Sequence, residues 1–184
     1  MTDLFYDLEF LEDGRTIELI SIGMVADDGR EYYAVNRDMP LRKIRKHAWL
    51  MENVVPSLPK GAGDRRNHVP RSWLFDYADP LVKRREQIAA EVAAFIQAAP
   101  DVELWADYGA YDHVALCQLW GPMIALPDGV PMYTNDIQQE ARRQGLSWND
   151  LPKQETGAHN ALADARHNQT VRRWLAAKAA GETA

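Results

Sequence analysis

The sequence predicts an α/β domain: a mixed sheet, begun as a three-strand antiparallel meander and extended by parallel strands, flanked by helices. Three observations carry this expectation. The first 36 residues hold three runs rich in aliphatic, β-branched and aromatic residues, separated by short turns. Beyond about residue 81, helix-like and strand-like segments alternate. With 184 residues, 46% of them hydrophobic and 26% charged, the chain has ordinary globular composition and enough length for one full core.

The elements follow in order. "LFYDLEF" reads as a strand. "TIELISIGMVAD" is a second, and its near-continuous apolar run predicts burial on both faces. "DDGR" contains an Asp-Gly turn signal, and "EYYAVN" completes the meander. Residues 40–82 differ, because Pro40, Pro56, Pro59, Pro70 and Pro80 break them into short pieces. Within them only "LRKIRKHAWLMENVV" has helix-like spacing, while "PKGAGDRRNHVPRS" reads as loop. A helix is predicted over about 81–98, with Ile88, Val92, Phe95 and Ile96 as its apolar stripe. Then come a buried strand "VELWA", a helix over about 110–120, a short strand "MYTND", a helix over about 136–144 and a last helix over about 160–179. One domain over residues 1–184, with a basic insertion at about 40–82, is the simplest organisation.

Composition narrows the function classes. A single cysteine, Cys117, excludes an internal disulfide framework and a Cys-rich zinc site. A reducing cytoplasm is the expected compartment. There is no long uncharged apolar run, so no membrane span is expected, and "MTDLF" does not resemble a secretory signal. The net charge of −6 argues against a generic polyanion binder. The charge is uneven, however. Residues 42–85 carry eleven Lys/Arg against four acids, a balance of +7 that leaves −13 on the remainder. Such a segment is either a local path for nucleic acid or a solvated basic surface.

The chemistry-bearing residues are carboxylates. Asp7 and Glu9 alternate with Tyr6, Leu8 and Phe10, so both acids point to one face of the first strand. Two charges about 4 Å apart repel by roughly 4 kcal/mol at an effective dielectric near 20, so a cation or full solvation must offset them. A further acid, Asp112, opens a helix directly after a strand and a glycine turn in "WADYGAYDHVALCQLWG". Asp107, five residues earlier at the strand end, competes with it as a ligand. In "HNALADARHN", Asp164 shares a helical stripe with Ala161, Ala165, Asn168, Val171 and Leu175, and the aliphatic members mark that stripe as inward-facing. An inward Asp is costly unless paired, hydrogen-bonded or metal-bound. His159 reaches the same place only from a turn before the helix, which Gly157 allows. Oxygen donors without a thiol favour Mg²⁺ or Mn²⁺. Two such ions about 3.5–4 Å apart form the clamp used for phosphoryl displacement, and a neutral histidine can take the proton of the attacking water.

D-x-E near the N-terminus, "YD" after a strand and H-x-A-x-x-D near the C-terminus together resemble the DEDDh 3′–5′ exonucleases, which include ribonuclease T and oligoribonuclease. The similarity runs from residue 4 to about 172 and is weakest over 57–80. The stretches "FYDLEFLEDGRTIELISIGMVADDGREYYAV" and "ELWADYGAYDHVALCQLWG" look closest to a small bacterial 3′–5′ exoribonuclease branch. The resemblance implies a ribonuclease H-like fold. It implies Asp7, Glu9, Asp112 and Asp164 as the metal-site carboxylates and His159 as general base, with two Mg²⁺ ions for which Mn²⁺ can substitute. It also implies an apolar contact for the terminal base, assigned to Phe10 and Leu11. The expected reaction is hydrolysis of single-stranded RNA 3′ ends or overhangs to nucleoside 5′-monophosphates. A DNA exonuclease of the same fold and a non-catalytic RNA-binding module are the alternatives. A homodimer through the long last helix is left open.

Overall fold

The computed structural model describes residues 2–62 and 73–181. Arg65, Arg66, His68 and Arg71 of the basic insertion lie outside the described residues. The six-stranded sheet has the order β4-β3-β2-β1-β5-β6. The meander β1 (Thr2–Glu12), β2 (Ile17–Ala26) and β3 (Glu31–Asn36) is antiparallel, whereas β5 (Val102–Ala106), β6 (Asn135–Asp136) and β4 (Val82–Lys83) each join in parallel. The sheet is therefore mixed and helix-flanked, as expected, and consistent with a ribonuclease H-like fold.

Two local expectations are corrected. The helix predicted from about 81 begins later, as α3 (Arg85–Gln97), because the chain before it pairs with β3. The Val35 N–H donates to the Leu81 carbonyl at 2.8 Å and the Arg37 N–H to Lys83 at 2.8 Å. A partner some 46 residues away in sequence thus overrides local propensity. The helix-like run 41–55 is broken into α1 (Leu41–Ile44) and α2 (Ala48–Asn53), followed by a 3₁₀ turn Val55–Ser57 that contains Pro56. His47 caps α2 by accepting the Leu50 N–H at 3.3 Å.

Both faces of the sheet are covered. Leu4, Tyr6 and Leu8 of β1 pack with Ile88, Val92 and Ile96 of α3 and Leu116 of α4 (Ala110–Cys117). The opposite face carries Phe5, Val25 and Trp105, which meet Ile137 of α5 (Ile137–Arg143) and Ala165, Val171 and Leu175 of α6 (Ala161–Ala179). A third cluster puts Leu11, Ile20 and Val35 beneath Ile44, Leu50 and Val54 of the α1–α2 segment. Each fully buried Leu, Ile or Phe contributes about 1.5–3 kcal/mol. The apolar stripe of α6 is thus taken up by the sheet. Its outer face is charged, with Arg166 paired to Glu31 and Arg173 to Asp27. No described helix is long and apolar enough to cross a membrane.

One close approach positions the site. Gly23 of β2 pairs with Asp7 of β1. The first turn of α6 lies so tightly on Gly23 that a Cβ there would fall 2.3 Å from backbone atoms of Ala161 and Leu162. Only glycine permits that seat.

Candidate active site

The pleat of β1 sends Phe5, Asp7 and Glu9 to the face covered by α6. Asp164, in the first turn of α6, comes down onto the two strand acids. One ligand oxygen from each of Asp7, Glu9 and Asp164 lies within 4.8 Å of the others. Asp112 approaches from the other side of β1. It is 7% exposed, and its Oδ1 accepts the Leu8 backbone N–H at 2.9 Å. The turn before it is tight: Tyr108 has φ +50°, and a Cβ on Gly109 would lie 2.8 Å from the Ala106 Cβ. The Gly109 N–H donates to Asp136 at 2.8 Å, and Asp136 also caps α5 through the Gln139 N–H at 2.9 Å.

These acids are held against their charge. Burial, then repulsion from Asp164 and Asp112, raises the Glu9 carboxyl to about 8. Burial raises Asp112 to about 7, opposed by backbone N–H donors. Asp7 is pushed well above the usual carboxylate range by burial and then by Asp112, Glu9 and Asp164. Burial also raises Asp164, although the Gln154 amide and His159 pull the other way. An all-oxygen donor set under mutual repulsion fits a hard divalent cation.

His159 occupies the turn before α6, with φ +63°, immediately ahead of the N-cap Asn160, which accepts the Ala163 N–H at 3.1 Å. Its carbonyl accepts from Ser57 Oγ at 3.0 Å, and its ring meets Trp49 edge to face with centroids 4.8 Å apart. His159, Asp7, Glu9, Asp112 and Asp164 all line one cleft of about 670 Å³. Asp107 lines it too and accepts from the Gln138 amide at 2.6 Å.

Phe10 also lines the cleft and lies nearly parallel to Tyr111, with ring centroids 6.4 Å apart. Leu11, expected beside it as a base contact, is 6% exposed in the cluster under α1–α2 and is absent from the cleft wall. The cleft lining also includes Trp148, Lys153, Gln154, His167 and Asn168, none of which the sequence marked as a site residue. The Lys153 ammonium sits 3.2 Å from the Trp148 ring centroid, and the buried Asn168 amide donates to the Tyr6 carbonyl at 3.1 Å. Trp148 opens a 3₁₀ turn, Trp148–Asp150, capped by Ser147 and Asp150, and Lys153 follows it in irregular chain; nothing in that spacing marks either as a site residue. Asn168 could have been singled out as a polar residue on the inward stripe of the last helix.

Two curated proteins from different strains of Mycobacterium tuberculosis, both named 3′–5′ exoribonuclease, are 44% identical to this chain over 164 residues, covering 88% of it and 86% of each of them. The chain belongs to this 3′–5′ exoribonuclease family. No protein-family model matches the chain. In this exoribonuclease-family member, acids from β1, α4 and α6 line one cleft together with His159.

Proposed function

We propose that the protein is a metal-dependent 3′–5′ exoribonuclease of the DEDDh type that hydrolyses single-stranded RNA ends to nucleoside 5′-monophosphates. The observation that carries this reading is the convergence of Asp7, Glu9 and Asp164 oxygens within 4.8 Å, in a cleft that also holds Asp112 and His159. Asp7, Glu9, Asp112 and Asp164 would hold two Mg²⁺ ions, with Mn²⁺ as a substitute. Bound there, the ions would polarise the attacking water and offset charge on the leaving 3′-oxygen. His159 takes the proton of that water at its imidazole nitrogen. Phe10 supports the terminal base by stacking, a contact worth about 1–3 kcal/mol per base. RNA approaches past α1–α2, where Arg42 and Lys46 are exposed and Trp49 packs against the His159 ring. The whole chain acts as one cytoplasmic domain, and the basic stretch is part of its substrate path.

The test is incubation with 5′-labelled single-stranded RNA and the matching DNA, each with Mg²⁺, Mn²⁺ or chelator, beside an Asp164→Asn control. A metal-dependent ladder shortening from the 3′ end, lost in the variant and faster on RNA, is the expected result. Faster shortening of DNA would transfer the activity to DNA, and RNA binding without cleavage would leave a binding module.

A further inference from the structure

We propose that Trp49 and Ser57 are positioning residues for His159, so that the α2–3₁₀ segment braces the base of the reaction. Their role rests on reading His159 as that base. His159 sits in a turn closed by the Asn160 N–H on the Gly157 carbonyl at 3.2 Å, and this local contact holds its backbone without reaching its ring. Its φ of +63° lies in the left-handed region, where a non-glycine residue is uncommon. The residues before it, 155–158, are all exposed. Helix α6 begins only at Ala161.

A further restraint comes from more than a hundred residues away. Ser57 Oγ lies 3.0 Å from the His159 carbonyl and 2.8 Å from the Val54 carbonyl, so its single proton ties the histidine backbone to the end of α2. Trp49 holds the ring: its plane stands at 78° to the imidazole with centroids 4.8 Å apart. One contact fixes the backbone and the other fixes the side chain. Trp49 is 48% exposed, so filling the core does not account for it. A general base must stay within hydrogen-bond reach of the water it deprotonates, and small misplacement costs rate.

The experiment is a double-mutant cycle on the full chain with Mg²⁺ and 5′-labelled single-stranded RNA. Trp49→Ala, Trp49→Phe and Ser57→Ala are each made in the native and the His159→Ala backgrounds. In the native background, Trp49→Ala should lower kcat about tenfold and Ser57→Ala about threefold, with KM within about twofold. Trp49→Phe, which keeps a ring edge, should retain most of the rate. In the His159→Ala background the same changes should cost less than about twofold. Where turnover of His159→Ala is too slow to measure, the kcat-against-KM split together with rescue by Trp49→Phe decides. Thermal melting with and without Mg²⁺ checks folding and metal binding, and Ser57→Ala, which removes one hydroxyl, serves if Trp49→Ala unfolds. Equal losses in both backgrounds, or a rise in KM alone, would overturn the proposal and place Trp49 on the RNA. Full activity of His159→Ala would instead remove the base, and its brace with it.

Discussion

Gly23 and Ala161 touch backbone to backbone, on the strand residue that pairs with Asp7. The contact lets the first turn of α6 descend far enough for Asp164 to reach the strand acids. Gly23→Ala is therefore expected to lift that turn. Overpacking of this kind costs about 1–3 kcal/mol or more. For a chain of this size that is a fall in Tm of roughly 3–10 °C. Turnover should fall further than stability does, because Asp164 and His159 move together. A variant that melts like the native protein and cleaves at the native rate would show that the helix does not need this seat.

The acid cluster sets a pH dependence for the metal-free protein. The Glu9 and Asp112 carboxyls sit at about 8 and about 7, and those of Asp7 and Asp164 are also raised. Groups raised above their unfolded values near 4 stabilise the fold at low pH, and that contribution is lost as pH climbs through about 7–8. Burial lowers His113 and His167 instead, so their contribution is lost below about 6.5 and is constant above it. In chelator, Tm should fall between about pH 6.5 and 8.5, and added Mg²⁺ should raise it more at the upper end. A Tm that stays flat across that window would contradict the electrostatic reading of the cleft.

Asp112 and Asp107 are expected to separate on substitution. Asn at 112 can still accept the Leu8 N–H through its carbonyl oxygen, so the fold should survive while a charged donor is lost. Turnover should drop by more than about 100-fold. Asp107 is engaged by Gln138, and Asp107→Asn should cost less than about tenfold. The reverse ranking in single-turnover assays would make Asp107 the ligand.

Metal removal should weaken RNA binding as well as stop cleavage. Five carboxylates line the cleft, and Lys153 is the one Lys or Arg among its described lining residues. At alkaline pH, where the raised carboxyls ionise, a phosphodiester entering it meets net repulsion unless divalent ions are bound, so the comparison is made above about pH 8. Anisotropy with fluorescein-labelled RNA should show affinity at least about tenfold lower in chelator than with Ca²⁺, used to slow turnover. Equal affinity in both would assign binding to the basic segment alone.

The legible parts of the sequence were those governed by short-range pattern. The pleat put Asp7 and Glu9 on one face, and the 3.6-residue period put Asp164 near the inward stripe of α6, where the structure brings the three together. The turn proposed for His159 also matches its place ahead of Asn160. What could not be read depended on contacts between distant segments. β4 exists because β3 offers it hydrogen bonds. Leu11 looked like a cleft residue until α1–α2 folded over it. Trp49 lies 110 positions from His159, and Lys153 folds back over Trp148 from just beyond a short 3₁₀ turn. Neither pairing has a periodicity to announce it.

The acidic cluster joins β1, near one end of the chain, to the start of α6, near the other. During synthesis, Asp7 and Glu9 leave the ribosome long before His159 and Asp164 have been translated. Until then the nascent chain carries three of the four acids proposed for the site and lacks both Asp164 and the histidine, so the cluster can close only once the start of α6 has been made.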